Sequence, residues 1–133
     1  MKASHLFFLT IFTILLLGGC TKAPINGNLD GQWQVVEVIP KPSEEIIGGR
    51  LYYNFSLHVC MLSYYGGTFL FANMEYDEET LYLDFAEDKT EEDAVALRQY
   101  GILNNPISFS VKFTDSNHLT LSSENSQVVL VKH

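Results

Sequence analysis

The sequence is poor in the features that usually announce a function. It holds 2 cysteines in 133 residues, so one disulfide is the most it can form. It has few cations, 8 Lys plus Arg against 16 Asp plus Glu, for a formal charge of −8. A surface of that sign repels phosphate backbones and anionic lipid, which argues against nucleic acid as a partner. No apolar run is long enough to cross a bilayer: Leu6 to Leu17 supplies twelve residues, and a helix needs about 20 to cross ~30 Å of hydrocarbon. Phosphate cradles are missing too, since Gly48-Gly49-Arg50 and Gly66-Gly67 have no following Lys and Ser. No catalytic motif stands out. The length excludes the usual two-domain enzymes. A charged fraction of only 18% with 13% aromatics excludes a disordered tail.

What is present begins with the leader. Lys2 precedes the run LFFLTIFTILLL, which reads as the h-region of a secretory signal. Leu17-Gly18-Gly19-Cys20 then sets small residues directly before a cysteine, and this resembles the lipobox of bacterial lipoproteins. The resemblance implies a signal peptide over 1–19 and a lipidated Cys20 that becomes the first residue. Three acyl chains at ~0.8 kcal/mol per buried CH2 make such an anchor effectively permanent. Thr21 stands where the inner-membrane retention signal has Asp, so the resemblance implies an outer-membrane lipoprotein facing the periplasm. Residues 20–29 read as the lipidated Cys and a flexible tether, and 30–133 as the folded domain. Removing residues 1–19 removes Lys2 and no acid, leaving 7 cations against 16 acids and a formal charge of −9. Only Cys60 then remains unmodified, and no intrachain disulfide is expected.

Within the domain the apolar residues recur with period two, the pattern of half-buried strands. Strands are expected over Gln32 to Ile39, stopped by Pro40 and Pro42, over Leu51 to Leu62, and over Thr68 to Tyr76 after the Gly66-Gly67 turn. Others are expected at Leu81 to Phe85, Ile107 to Phe113, Leu119 to Leu121 and Val128 to Val131. Leu51 to Leu62 reads as one long strand, with Tyr53, Phe55, Leu57, Val59 and Met61 on an apolar face and His58 and Cys60 on a polar one. Thr90-Glu91-Glu92-Asp93 is a helix start with a capping hydroxyl and acids at the positive end of the dipole. Gly101 is its expected stop. The expectation is therefore an all-β antiparallel meander of seven to eight strands, closing as a barrel, with one short helix.

Leu29-Asp30-Gly31-Gln32-Trp33 followed by Val35-Val36 looks like the opening of lipocalins and related calycins, and Phe109 through Val131 looks like the closing hairpins of small lipocalin-like lipoproteins. That resemblance implies a barrel with Trp33 plugging one end. The expected departures are a helix between the fourth and fifth strands and seven strands where a full lipocalin has eight.

The candidate chemistry is sparse. His58 and Cys60, two apart on one strand, would share a face, but a zinc site needs three or four convergent ligands and a thiolate nucleophile needs a base and an orienting group. His118 reads as a turn residue. The acidic runs around Asp77 and Glu91 lack the central glycine of a calcium loop. Neither a metal nor a cofactor is expected, and no enzyme. Tyr52 through Phe85 is dense in aromatics, and Trp33, Tyr53, Phe55, Phe69 and Phe71 are the candidate lining for a small hydrophobic ligand. The expected function is binding in the cell envelope. The alternative is an interaction module with a side-chain-filled barrel that docks another envelope protein.

Overall fold

The computed structural model describes residues 25–43, 49–64, 69–85 and 90–133. The expected signal peptide, Cys20, the expected tether up to residue 24 and the expected Gly66-Gly67 turn lie outside the described residues. A 3-10 turn at Gly27–Leu29 leads into β1 (Gly31–Ile39), β2 (Leu51–Ser56), β3 (Val59–Tyr64), β4 (Leu70–Tyr76) and β5 (Thr80–Asp84). A single helix, α1 (Glu91–Gln99), precedes β6 (Ile107–Asp115), β7 (His118–Ser122) and β8 (Gln127–Lys132). Each strand pairs antiparallel with the next and β8 returns to β1, so the eight strands close into a barrel. All of them lie between Gly31 and Lys132, so a chain beginning at Thr21 carries the entire closed fold.

The expected long strand is two strands. Ser56 pairs with Val59 and Phe55 with Cys60, leaving Leu57 and His58 as a two-residue turn. Leu57 has φ 53°, the left-handed region that such turns use and that glycine or asparagine normally supplies. The turn flips the phase. Tyr53 and Phe55 point inward on β2, and Cys60 and Leu62 take over on β3, while Leu57 and Val59 are exposed. His58 and Cys60 therefore share no face: the imidazole is on the exposed turn and the thiol is buried. The split strand is also the eighth, and it moves the helix to between β5 and β6.

Inward residues pair with inward residues around the wall, as in Trp33 opposite Tyr53, Tyr53 opposite Leu62 and Cys60 opposite Ala72. Leu81 faces Phe109, and Leu119 faces Leu130. These side chains, with Met74, Leu83, Ile107, Leu121 and Val128, form one buried core. Fully burying a side chain of this size contributes about 1.5–3 kcal/mol.

Trp33 closes one end, as the resemblance implied. Its Nε1–H donates to the Leu29 carbonyl at 2.8 Å. Lys132 Nζ sits 4.6 Å from the indole centroid while donating to the carbonyls of Asp30 at 2.5 Å and Asn28 at 2.9 Å. Phe113 packs at 6.0 Å from the same ring.

The helix covers the other end. Thr90 Oγ1 accepts from the Asp93 N–H at 3.1 Å, which caps the N-terminus. At the C-terminus Gly101 N–H donates to the Arg98 carbonyl at 3.1 Å and Ile102 N–H to the Leu97 carbonyl at 3.0 Å. That pair of bonds, with Gly101 at φ 79°, is a Schellman stop. Leu97, Tyr100 and Ile102 are driven into the barrel by it, each 2% exposed or less.

Candidate functional site

Three of the five expected lining residues lie in the interior, where they contact other side chains. Trp33 and Tyr53 are 0% exposed and Phe55 2%. The Tyr53 ring is 5.8 Å from Phe55 and meets Tyr100 edge-on at 5.8 Å. Tyr53 Oη–H donates to the Tyr100 carbonyl, and Tyr100 Oη–H donates to the Ser63 carbonyl at 2.7 Å. Ser126 Oγ–H donates to the Gly101 carbonyl at 2.7 Å, so the β7–β8 turn grips the helix end from the far side. Burial is the main cause that pushes the Tyr53, Cys60 and Tyr100 acidities away from ionisation; the charges of Cys60 and Tyr100 add to it at Tyr53. Cys60 is thus held as a neutral thiol, which is neither a nucleophile nor a ligand.

The other two expected residues are on the outside. Phe69 is 49% exposed and Phe71 59%, while Ala72 and Met74 of the same strand are buried. Period two along β4 forces this: an inward Ala72 turns Phe71 out. Phe69 and Phe71 therefore do not line the interior. With Val59 and Met61, which lies opposite Phe71, they form an apolar strip on the outer wall of β3 and β4.

Concave space is found at both ends: at the Trp33 end an open cleft of about 540 Å3 lies among Ile25, Asn28, Tyr76, Asp77, Glu78 and Phe113, and two further cavities lie at the helix-covered end. β1 pairs with β2 only through Gly31 to Gln34. Beyond that it pairs with β8 alone, after a bulge that leaves Val36 unpaired between Val35 and Glu37. Among the described residues the second half of β1 has no partner on the β2 side. The seam holds a cavity of about 350 Å3 lined by Val35, Val36, Glu37, Val38, Lys41, Pro42, Gly49, Leu51 and Gln99. A second cavity of about 240 Å3 shares Lys41, Pro42 and Gln99 and continues along the helix past Pro40, Ser43, Val95, Arg98 and Leu103. Sequence reasoning missed this site. Its one available signal was Pro40-Lys41-Pro42, a rigid cation-bearing exit from β1 in a chain with few cations.

Elsewhere the polar groups serve turns. Asp115 accepts from the Asn117 N–H at 2.8 Å and from His118 Nδ1 at 2.7 Å. The hydrogen bond from His118, and secondarily that from Asn117, holds the Asp115 carboxyl below the usual range. Asp77 likewise accepts from Thr80 and Glu79, whose N–H groups lower its pKa. Among the described residues no three His, Cys, Asp or Glu side chains converge as metal ligands.

A closed eight-stranded meander with Trp33 at one end and a helix at the other matches the family model described as a lipocalin-like domain, over residues 14–133. The chain belongs to the lipocalin-like family. Its barrel is similar to a lipocalin-like protein from Bacteroides uniformis, with a TM-score of 0.61 and 18% identity, covering 80% of this chain and 100% of that one. It is also similar to an uncharacterized protein from Bacteroides eggerthii, with a TM-score of 0.54 and 14% identity, covering 78% and 98%. At these identities the likeness to the two solved structures shows the fold alone. No curated protein matches the chain. The lipocalin-like fold is compatible with ligand binding, and in this member the interior positions carry the chain's own side chains.

Proposed function

We propose that this lipocalin-like domain is a lipid-anchored binding protein of the bacterial cell envelope that holds a small hydrophobic molecule in the seam at its mouth. The observation that carries the reading is the cavity of about 350 Å3 beside the second half of β1, with Val35, Val36, Val38 and Leu51 along it. That volume lies within the ~300–1,000 Å3 of small-molecule sites. The interior, by contrast, is occupied by Trp33, Tyr53, Phe55 and Tyr100.

The anchor follows from the lipobox-like Leu17-Gly18-Gly19-Cys20 and fits the geometry of chain entry. Asn26 donates to the Leu57 carbonyl at 2.8 Å and Asn28 to the Ser116 carbonyl at 3.0 Å, both at the Trp33 end. A tether from Cys20 would hold that end toward an outer membrane and turn the mouth into the periplasm.

Nile red, a neutral lipophilic dye, tests the site on a chain beginning at Thr21. Saturable one-to-one binding is expected, weakened about tenfold or more by Val36→Asp at an exposed position and unchanged by Phe71→Ser. A flat titration overturns the reading. In cells, Cys20→Ser is expected to move the protein out of the membrane fraction, and retention there removes the anchor.

A second reading rests on the strip of Val59, Phe69 and Phe71 on the outer wall, with Val59 42% exposed. It makes the barrel an envelope interaction module. A photocrosslinker at position 71 would then capture one partner protein in intact envelopes, and loss of that adduct on Phe69→Ser would tie it to the strip.

A further inference from the structure

We propose that the outer wall of β3 and β4, with the β2–β3 turn, rests on the surface of the membrane that holds the anchor, so that the barrel lies tilted onto this wall instead of standing on its Trp33 end. The inference rests on the lipid-anchor reading above and adds which face of the domain meets the lipid.

Reach is the first argument. From Cys20 to Ile25 the chain has five residues, which extend to at most about 18 Å. The next residue, Asn26, donates to the Leu57 carbonyl at 2.8 Å. A lipidated Cys20 therefore keeps the β2–β3 turn close to a bilayer, and Leu57 at its tip is 61% exposed. From there the exposed side chains of Val59, Phe71 and Phe69 continue along the wall, with the half-buried Met61 opposite Phe71. A short tether holds this wall at an effective concentration in the mM range, so contacts too weak to bind a free domain suffice. Lipid is the one occupant that Cys20 itself brings within reach of the strip.

Charge is the second argument. The chain carries 16 acids and 8 Lys plus Arg, yet none of them stands between Leu51 and Met74. That stretch holds β2, β3 and most of β4, and the undescribed residues 65–68 within it add no charge. Asn54, Ser56 and Asn73 are the outward neighbours of the apolar strip, and Glu75 marks its border. Apolar side chains edged by neutral polar ones suit the boundary between headgroups and acyl chains, where binding grows with the apolar area buried. The Trp33 end is the contrary. Asp77, Glu78 and Asp115 are exposed there, and standing on it would press their carboxylates against lipid and strip their water.

A bimane label read against nitroxide-bearing lipid tests the tilt. A hexahistidine placed before Thr21 and captured on nickel-chelating lipid in phosphatidylcholine vesicles holds the chain by the same end whether or not cells lipidate Cys20. Position 69 lies four residues along β4 from the Val59–Asn73 pair, roughly 14 Å farther from the tether. Thr120 lies four strands away on β7, near the Trp33 end. Cys60 is buried, so Phe69→Cys or Thr120→Cys supplies the thiol that is labelled. Quenching at 69 is expected to exceed that at 120 about threefold or more. Leu57→Asn with Phe71→Ser, both at exposed positions, should not lower the thermal midpoint and should bring the two labels to equal quenching. Equal quenching in the chain without that pair of changes, or more at 120 than at 69, means that the barrel stands on its end and overturns the inference. A preference for 69 that survives the pair of changes overturns it too. Capture of one protein by the photocrosslinker at position 71, with no quenching at 69, gives the wall to a protein partner and overturns lipid docking. The anchor is tested apart from all of these, by the membrane fractionation of Cys20→Ser.

Discussion

At the scale of single residues, two glycines separate conformational need from space. Gly101 has φ 79° and a Cβ there would stand 2.4 Å from Val128 Cγ2 and 3.3 Å from Val38 Cγ1. Gly27 also has positive φ, at 58°, but a Cβ there would meet nothing within 4 Å. Alanine at Gly27 should cost only the left-handed backbone, about 1 kcal/mol. Alanine at Gly101 adds overpacking of about 1–3 kcal/mol where the helix end meets β1 and β8. Urea unfolding should show both midpoints lowered, with Gly101→Ala falling at least twice as far at unchanged slope; equal shifts would remove the close-approach argument. The sequence made Gly101 legible as a helix stop because Thr90 and the acids mark the start of the helix that it ends. That it is also a spacer between helix and wall was not legible, because Val38 and Val128 lie far from it along the chain. Lys41 and Arg98 were hidden for the same reason: convergence on one cleft is a property of the folded chain.

At the scale of elements, the barrel differs from its sequence pattern at one turn. Leu51 to Leu62 alternates without interruption, so period two alone reads one strand. The chain turns at Leu57-His58 with neither the glycine nor the asparagine that marks two-residue hairpins, and both side chains there are exposed. Tertiary bonds support the unfavourable turn: the Leu57 carbonyl accepts from Asn26 at 2.8 Å and the His58 carbonyl accepts from the Met74 N–H at 2.8 Å. Replacing Leu57 by Asn, which tolerates the left-handed region, keeps both backbone bonds and should raise stability by up to about 1 kcal/mol. A drop in the urea midpoint would show that the exposed Leu57 side chain has a packing role. By contrast the β6–β7 hairpin turns at Asp115-Ser116-Asn117, where Asp115 makes its own turn bonds. The phase flip at Leu57 also decided the candidate site. It put Cys60 inside, as the partner of Ala72 across β3 and β4, and Phe71 outside.

At the scale of the whole molecule, the barrel is closed by rings and a thiol that must remain neutral. Tyr53, Cys60 and Tyr100 are all pushed up by burial from ordinary values of 10.0, 9.0 and 10.0. In the unfolded chain they ionise at those ordinary values, while in the barrel they keep their protons to higher pH. Between the two, the unfolded state binds fewer protons than the folded one, so stability falls as pH rises. The effect is absent below about pH 8, begins as the thiol of unfolded chains ionises near 9, and steepens past 10 when the phenols join. The urea midpoint should be flat from pH 7 to 8 and decline progressively from pH 9 to 11. Tyrosinate absorbance of the native protein should lack the contribution of Tyr53 and Tyr100 until unfolding. Tyr100→Phe separates this titration from general self-repulsion in an acidic chain. It removes the hydrogen bond to the Ser63 carbonyl, lowering stability at pH 7 by about 1 kcal/mol. It also removes one of the three ionisations, so its decline above pH 9 should be shallower than that of the natural sequence. A parallel decline in the two proteins would assign the alkaline loss to net charge, and a natural protein stable to pH 11 would contradict the burial of these three groups.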